Sequence, residues 1–166
     1  CGNADVDQLV KNSVWSQKSN FCDIPTDCPT RERAGWTGDM GVFIETGLTL
    51  MDCYPVVEKW LAECRLNQYP DGRMANIAPP TSRPGYMTPM LCMSAGWGDA
   101  AILVPYALYQ RTGDRKILAD NYEMMQKYHI LDCFECGSCA INCPARKPLT
   151  HAFKTAKLMF QAKAAK

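Results

Sequence analysis

The sequence predicts a mainly α fold, and three observations predict it. Helical apolar spacing runs through five separate segments. No segment alternates apolar and polar residues as a half-buried strand would. Connections dense in Pro and Gly punctuate the helical stretches at places where helices stop.

Taken in order, "VDQLVKNSVWSQKS" places Val6, Leu9, Val10 and Val14 on one stripe and predicts the first helix. "NFCDIPTDCPTRERAGWTGD" breaks the pattern with Pro and Gly and predicts a long ordered loop. Asp39 is placed to cap the next helix, "MGVFIETGLTLMD". Pro55 suits the first turn of "PVVEKWLAECRLNQ", where a missing N–H costs nothing, and Val56, Val57, Trp60 and Leu61 read as core. "YPDGRMANIAPPTSRPGYMTPM" is a second loop, longer than the ~12–15 residues usual for a structureless connection. "WGDAAILVPYALYQRTG" predicts a helix that stops at Gly113. "DRKILADNYEMMQKY" reads as one further helix with Ile117, Leu118, Tyr122 and Met125 on a common side.

The chain has 166 residues and a net charge of +1, a balance that points away from nucleic acid. The charge is uneven: residues 1–130 carry −3 and residues 131–166 carry +4. Such asymmetry marks segments with separate jobs. "CGNADVDQLV" shows neither the basic nor the apolar region of a signal peptide, and no apolar run reaches the ~20 residues of a transmembrane span. Four of the ten cysteines are packed as C-x2-C-x2-C-x3-C, which suits metal better than disulfides. The expected setting is reducing and cytoplasmic.

The first loop concentrates Asp27, Arg31, Glu32, Arg33, Trp36 and Asp39 within 13 residues. Carboxylates accept hydrogen bonds from hydroxyls, an indole packs on the C–H face of a sugar ring, and one carboxyl can serve as proton donor. The same residue types would also make a salt-bridged loop with no site in it. That loop, with "NSVWSQKSNF" before it and "VEKWLAECRLNQYPDGRMANIAP" and "AGWGDAAILVPYALYQRTGDRKILADNYEMM" after it, resembles bacterial α-L-rhamnosidases of glycoside hydrolase family 78 over about residues 5–128. The resemblance implies part of an (α/α)6 barrel built from helical hairpins, and inverting hydrolysis of terminal L-rhamnose. It makes Glu32 the general acid and places Asp27, Arg31, Trp36 and Asp39, with Trp97 and Asp99 of "AGWGDA", around the sugar. Thr30 departs from the family's usual Gln. Inversion also needs a second carboxylate to activate water. In the family it lies in a later part of the barrel, and Glu45, Glu58, Glu63 and Glu123 have no matching motif. The expectation is that this chain alone turns over no rhamnoside, and that its open apolar faces are covered by another copy or a partner.

Cys133, Cys136, Cys139 and Cys143-Pro144 form a ferredoxin-type run, with Gly137 easing the turn. Three thiolates at this spacing reach one [4Fe–4S] cube, while the fourth normally serves a second cluster. A four-Cys zinc site is the alternative. "KYHILDCFECGSCAINCPARKPL" and the following "THAFKTAKLMF" resemble the C-terminal end of RnfC, a subunit of a membrane-bound complex that moves electrons between ferredoxin and NAD. The resemblance implies a short cluster loop and a C-terminal helix. The expectation is a degraded or empty site; failing that, a fourth ligand for the cube would come from Cys22, Cys28, Cys53, Cys64 or Cys92, or from Cys143 of a second chain. His129 and His151 read as surface or packing residues, and Lys154, Lys157 and Lys163 as a solvated basic face.

The domain organisation expected is thus a truncated rhamnosidase-like unit over 1–128 and a cluster motif with basic helix over 129–166, a chimera joined near residues 126–129. Three functions compete: a rhamnosidase fragment lacking its base, an iron–sulfur electron-transfer module, and a non-catalytic helical oligomer.

Overall fold

The computed structural model describes residues 1–80, 94, 96–128, 141 and 149–164. Its helices are α1 (Ala4–Asn20), α2 (Thr37–Leu50), α3 (Tyr54–Leu66), α4 (Ala100–Thr112), α5 (Lys116–Asp120), α6 (Tyr122–Lys127) and α7 (Leu149–Ala164). Among the described residues there is no β-strand, only isolated bridges of Phe21 with Pro25 and of Trp36 with Ile77. The mainly helical expectation holds. Cys133, Cys136, Cys139 and Cys143 of the cysteine run, Cys92, His129 and residues 81–90 of the second long loop lie outside the described residues.

α1 starts where Asn3 caps it, its side-chain oxygen accepting the N–H groups of Asp5 and Val6 at 3.0 and 3.2 Å. Asp5 and Asp7 in the first turn complement the helix dipole. The expected stripe is present but largely uncovered: Val6, Leu9 and Val10 are exposed and Val14 is half-buried. Only Gln17, near the end of α1, is buried, and it donates from Nε2 to the Gly47 carbonyl of α2 at 3.1 Å.

α2 begins two residues before Asp39, which sits in its first turn and does not cap it. The reason is that the opening donor is already satisfied from far away: Thr37 N–H reaches the Asn76 carbonyl at 2.8 Å. α3 carries Pro55 in its first turn as expected, and Val57, Trp60 and Leu61 are buried while Val56 is half-buried. α4 is the central helix, with α2, α3, α5, α6 and α7 all packed on it. Its small residues Ala100 and Ala101 are buried, and Ala100 approaches α2 at Gly41. Gly113 closes α4 in the left-handed conformation, φ 72°.

The single helix expected over "DRKILADNYEMMQKY" is instead two short ones. Asn121 makes the break. It is fully buried, its Nδ2 donates back to the Ile117 carbonyl at 2.7 Å, and its Oδ1 accepts from Arg65 Nη1 at 2.7 Å. A side chain that claims a main-chain acceptor competes with helix continuation.

One core cluster joins α2, α3, α4, α5 and α6 through residues such as Ile44, Trp60, Val104, Ile117 and Met124. A second, smaller one joins Ile102 and Met125 to Phe153 and Ala156. The basic helix α7 is thereby docked on α4, with His151 Nδ1 3.3 Å from Tyr106 Oη.

Candidate active site

The acidic loop is tied to the core by a short antiparallel contact with residues 75–78. Ala78 N–H donates to the Gly35 carbonyl at 2.9 Å, and Thr37 Oγ1 donates to the Ala75 and Asn76 carbonyls at 3.2 and 3.1 Å. Below this contact the buried indole of Trp60 donates to the Ala78 carbonyl at 2.8 Å. Every polar group that enters the core here has a partner, as buried groups require. The backbones lie so close that a Cβ on Gly35 would run into the Ala78 oxygen and sit 2.9 Å from Trp60 Nε1.

Within the loop, Asp27 closes a ring of backbone. Its N–H donates to the Ala34 carbonyl at 3.1 Å, and its Oδ1 accepts the Ala34 N–H at 3.0 Å. Cys28 Sγ accepts the N–H of Glu32 at 3.1 Å. Arg33 adopts φ 52°, a left-handed conformation unusual for a side-chain-bearing residue, and its Nε donates to the Pro29 carbonyl at 2.9 Å. These contacts present Glu32 at the rim with both carboxyl oxygens held. Oε1 accepts from Arg31 Nη2 at 2.6 Å and Oε2 from Trp36 Nε1 at 3.0 Å. The Glu32 side chain is only 16% exposed, whereas Arg31 is 81% exposed, so the acid is fixed from the protein side while its guanidinium partner lies in solvent.

Asp39 joins the group from the first turn of α2. Burial does most to push its carboxyl above the ordinary value, and the negative charges of Asp27 and Glu32 add to that. Asp27 and Glu32 are therefore both within electrostatic reach of Asp39. Trp97 arrives from the turn before α4 and lies on Gly38: a Cβ there would be 2.7–2.9 Å from the ring atoms Cδ2, Cγ and Cε2. The residue stays 36% exposed. Asp99 follows on the same turn but directs its Oδ1 to the Tyr128 hydroxyl, which donates at 2.9 Å.

The structure thus brings Asp27, Arg31, Glu32, Trp36, Asp39 and Trp97 to one rim, with Asp99 behind it. Sequence reasoning missed Cys28, Asn76, Tyr128 and the second duty of Trp60. The signal for Cys28 was its place four residues before Glu32, one turn away; the others act over long sequence separations. Among the described residues no cluster of three His, Cys, Asp or Glu side chains forms a metal site, and no helix is long and apolar enough to cross a membrane.

Asp99 carries a pH signature. Burial raises its carboxyl above 3.8, partly offset by the Tyr128 hydrogen bond. An acid with a raised folded value binds its proton more readily when folded, so its contribution to stability falls as pH rises from 3.8 through the folded value. Asp99→Asn keeps an acceptor for Tyr128 and removes the charge. Thermal melts between about pH 4 and 7 should decline less steeply in that variant than in the parent. Parallel profiles would contradict the assignment.

The fold and rim define a class: a helical-hairpin scaffold that carries an acid-lined rim with two aromatic faces. Residues 1–132 match the model of the bacterial alpha-L-rhamnosidase 6 hairpin glycosidase domain. An α-L-rhamnosidase of Formosa agariphila is 42% identical over 124 residues, covering 74% of this chain and 13% of that protein. The crystal structure of Streptomyces avermitilis α-L-rhamnosidase complexed with L-rhamnose superposes with a TM-score of 0.70 at 38% identity, covering 76% of this chain and 12% of that one. That of the α-L-rhamnosidase from Dictyoglumus thermophilum superposes with a TM-score of 0.73 at 25% identity, over 99% of this chain and 20% of that one. The chain belongs to the bacterial α-L-rhamnosidase family, and it spans about an eighth of the length of the relative and the Streptomyces structure it matches.

Proposed function

We propose that residues 27–39 form the acid side of an α-L-rhamnosidase sugar subsite, with Glu32 as general acid. The observation that carries this reading is the capture of both Glu32 carboxyl oxygens by Arg31 and Trp36, beside Asp27 and Asp39. The Streptomyces relative was crystallised with L-rhamnose, which supports the choice of sugar. In the reaction, Glu32 gives its proton to the glycosidic oxygen as the bond from that oxygen to the anomeric carbon breaks. A water then attacks the anomeric carbon from the opposite face and passes its proton to a base. Before the proton transfer Arg31 moves off Oε1, and that oxygen takes up from solvent the proton that Glu32 delivers. Trp97 and Trp36 offer ring faces to the sugar, and Asp27 and Asp39 offer acceptors to its hydroxyls.

The opposing base stands about 6.5–9.5 Å from the acid in an inverting enzyme. Glu58 faces Lys116 at 3.8 Å, and Glu45, Glu63 and Glu123 lie on α2, α3 and α6. The 166-residue chain by itself binds L-rhamnose weakly and does not hydrolyse rhamnosides. Calorimetry with L-rhamnose should show binding that Trp36→Ala abolishes. An aryl α-L-rhamnoside should release no phenol. Release that Glu32→Gln abolishes would overturn the incompleteness of the catalytic set.

The spacing of Cys133, Cys136, Cys139 and Cys143 favours a second reading, a ferredoxin-type cluster loop of the kind found in RnfC. When bound, a [4Fe–4S] group supplies one-electron transfer. Cys133, Cys136 and Cys139 would hold three corners, and the core cysteines are poorly suited to supply the fourth. Cys53 and Cys64 are buried, and burial pushes both thiols up, disfavouring the thiolate that metal needs. Cys22 and Cys28 lie nearer solvent. Anaerobic reconstitution is expected to give substoichiometric iron, and a stable content of about four irons per chain would show a completed cube.

A further inference from the structure

We propose that Tyr128 is a positioning residue for the rim: its ring and hydroxyl hold the turn before α4 so that Trp97 lies on Gly38 beside Asp39. The turn runs through Gly96, whose φ of 85° only glycine adopts readily, to Asp99. Its two ends are anchored differently. At the front, Ser94 accepts the Trp97 N–H through its carbonyl at 2.9 Å, and Ser94 is itself bound by the buried Asn76, whose Nδ2 donates to Ser94 Oγ at 2.6 Å. At the back, the Tyr128 hydroxyl donates to Asp99 Oδ1 at 2.9 Å, and its ring covers Gly98 so closely that a Cβ there would lie 2.8–3.2 Å from Oη, Cε2 and Cζ.

The two contacts repeat one device, an aromatic ring laid on a glycine. Trp97 covers Gly38 and Tyr128 covers Gly98, one residue further along the chain. Because Trp97 and Gly98 are adjacent, the backbone that Tyr128 presses is the backbone that aims the indole. Trp97 is 36% exposed, so its ring is only partly enclosed. The position of its ring depends on the turn beneath. Tyr128 is packed against both core clusters and so backs the turn from the interior.

The use of Trp97 as a sugar platform rests on the function proposed above, whereas its placement by Tyr128 does not. The test is accordingly read first without sugar. In the 166-residue chain with 15N-labelled tryptophan, the indole N–H of Trp97 is identified by Trp97→Phe. Tyr128→Phe removes the hydroxyl and Tyr128→Ala removes the ring as well. The Trp97 indole resonance should move in Tyr128→Phe and move further in Tyr128→Ala, with Trp15 and Trp60 unchanged as controls of the fold. Asp99→Ala should reproduce Tyr128→Phe, and the double variant should add little to either, as expected for partners in one interaction. With L-rhamnose, affinity should fall roughly two- to tenfold in Tyr128→Phe, the range expected for one hydrogen bond. A Trp97 resonance that stays in place in Tyr128→Phe, even where the melting temperature falls, assigns Tyr128 a packing role alone and overturns the inference. Should Tyr128→Ala fail to fold, Tyr128→Phe decides. If the parent chain binds no rhamnose, the functional reading fails while the indole shifts still judge this one.

Discussion

Gly35→Ala is expected to destabilise the chain by about 3 kcal/mol, at the upper end of the range for inserting a methyl where there is no room. The added carbon meets the Ala78 carbonyl oxygen and lies 2.9 Å from Trp60 Nε1 and 3.3 Å from Ile24 Cδ1. Of these only the Ile24 methyl is the end of a flexible side chain and can give way. Two are parts of a hydrogen bond between a buried indole and a backbone carbonyl, so relief requires breaking that bond or parting the loop from residues 75–78. Either leaves a buried polar group without its partner, at roughly 1–3 kcal/mol. Urea unfolding should show a lower midpoint with an unchanged slope. A midpoint within error of the parent's would mean that the loop can drift away from the core at little cost, and the site would then not be held as described.

Trp60→Ala is the second large effect, at about 3–5 kcal/mol for the loss of a buried aromatic side chain. The residue is fully buried among α2, α3 and α4, so the cavity it leaves has walls that cannot readily collapse. Trp60→Phe separates its two duties. Most of the apolar volume remains, but the Ala78 carbonyl loses its donor, and about 1–3 kcal/mol should go with it. Since Ala78 N–H also donates to the Gly35 carbonyl, the Phe variant should disturb the acidic loop as well. A shift of the Trp36 indole resonance in Trp60→Phe would report that coupling. An unchanged Trp36 signal with full stability would reduce Trp60 to plain packing.

Local features were legible in the sequence. Pro55 marked the start of α3, Gly113 the end of α4, and the punctuated stretch 20–39 the place of the acids. The failures share one physical cause, which is pairing between residues far apart in the chain. Asp39 looked like a cap because the true partner of the first turn, the Asn76 carbonyl, stands nearly forty positions away. Asn121 looked like an ordinary helical polar residue, but its side chain is spent on Ile117 and on Arg65 of another helix. Trp60 fitted a core stripe, and nothing in a stripe shows what an indole N–H will find. The stripe of α1 was real and its burial was not, because burial depends on what lies opposite. At the site, residue types and order named the members of the rim. They did not show that Asp27 closes the loop on Ala34, nor that Asp99 turns away to Tyr128.

The central claim is that Glu32, Trp36 and their neighbours are preset to receive a rhamnose ring. The most direct measurement follows the tryptophan indole N–H signals of the chain during titration with L-rhamnose, with a sugar of different stereochemistry as control. Because Trp36 Nε1 donates to Glu32 Oε2, sugar at the acid must disturb that proton. The account predicts saturable shifts of Trp36 and Trp97, no response from Trp15 or Trp60, and an altered Trp36 response in Glu32→Gln. Indole signals that ignore L-rhamnose, or that respond equally to the control sugar and in Glu32→Gln, would contradict it.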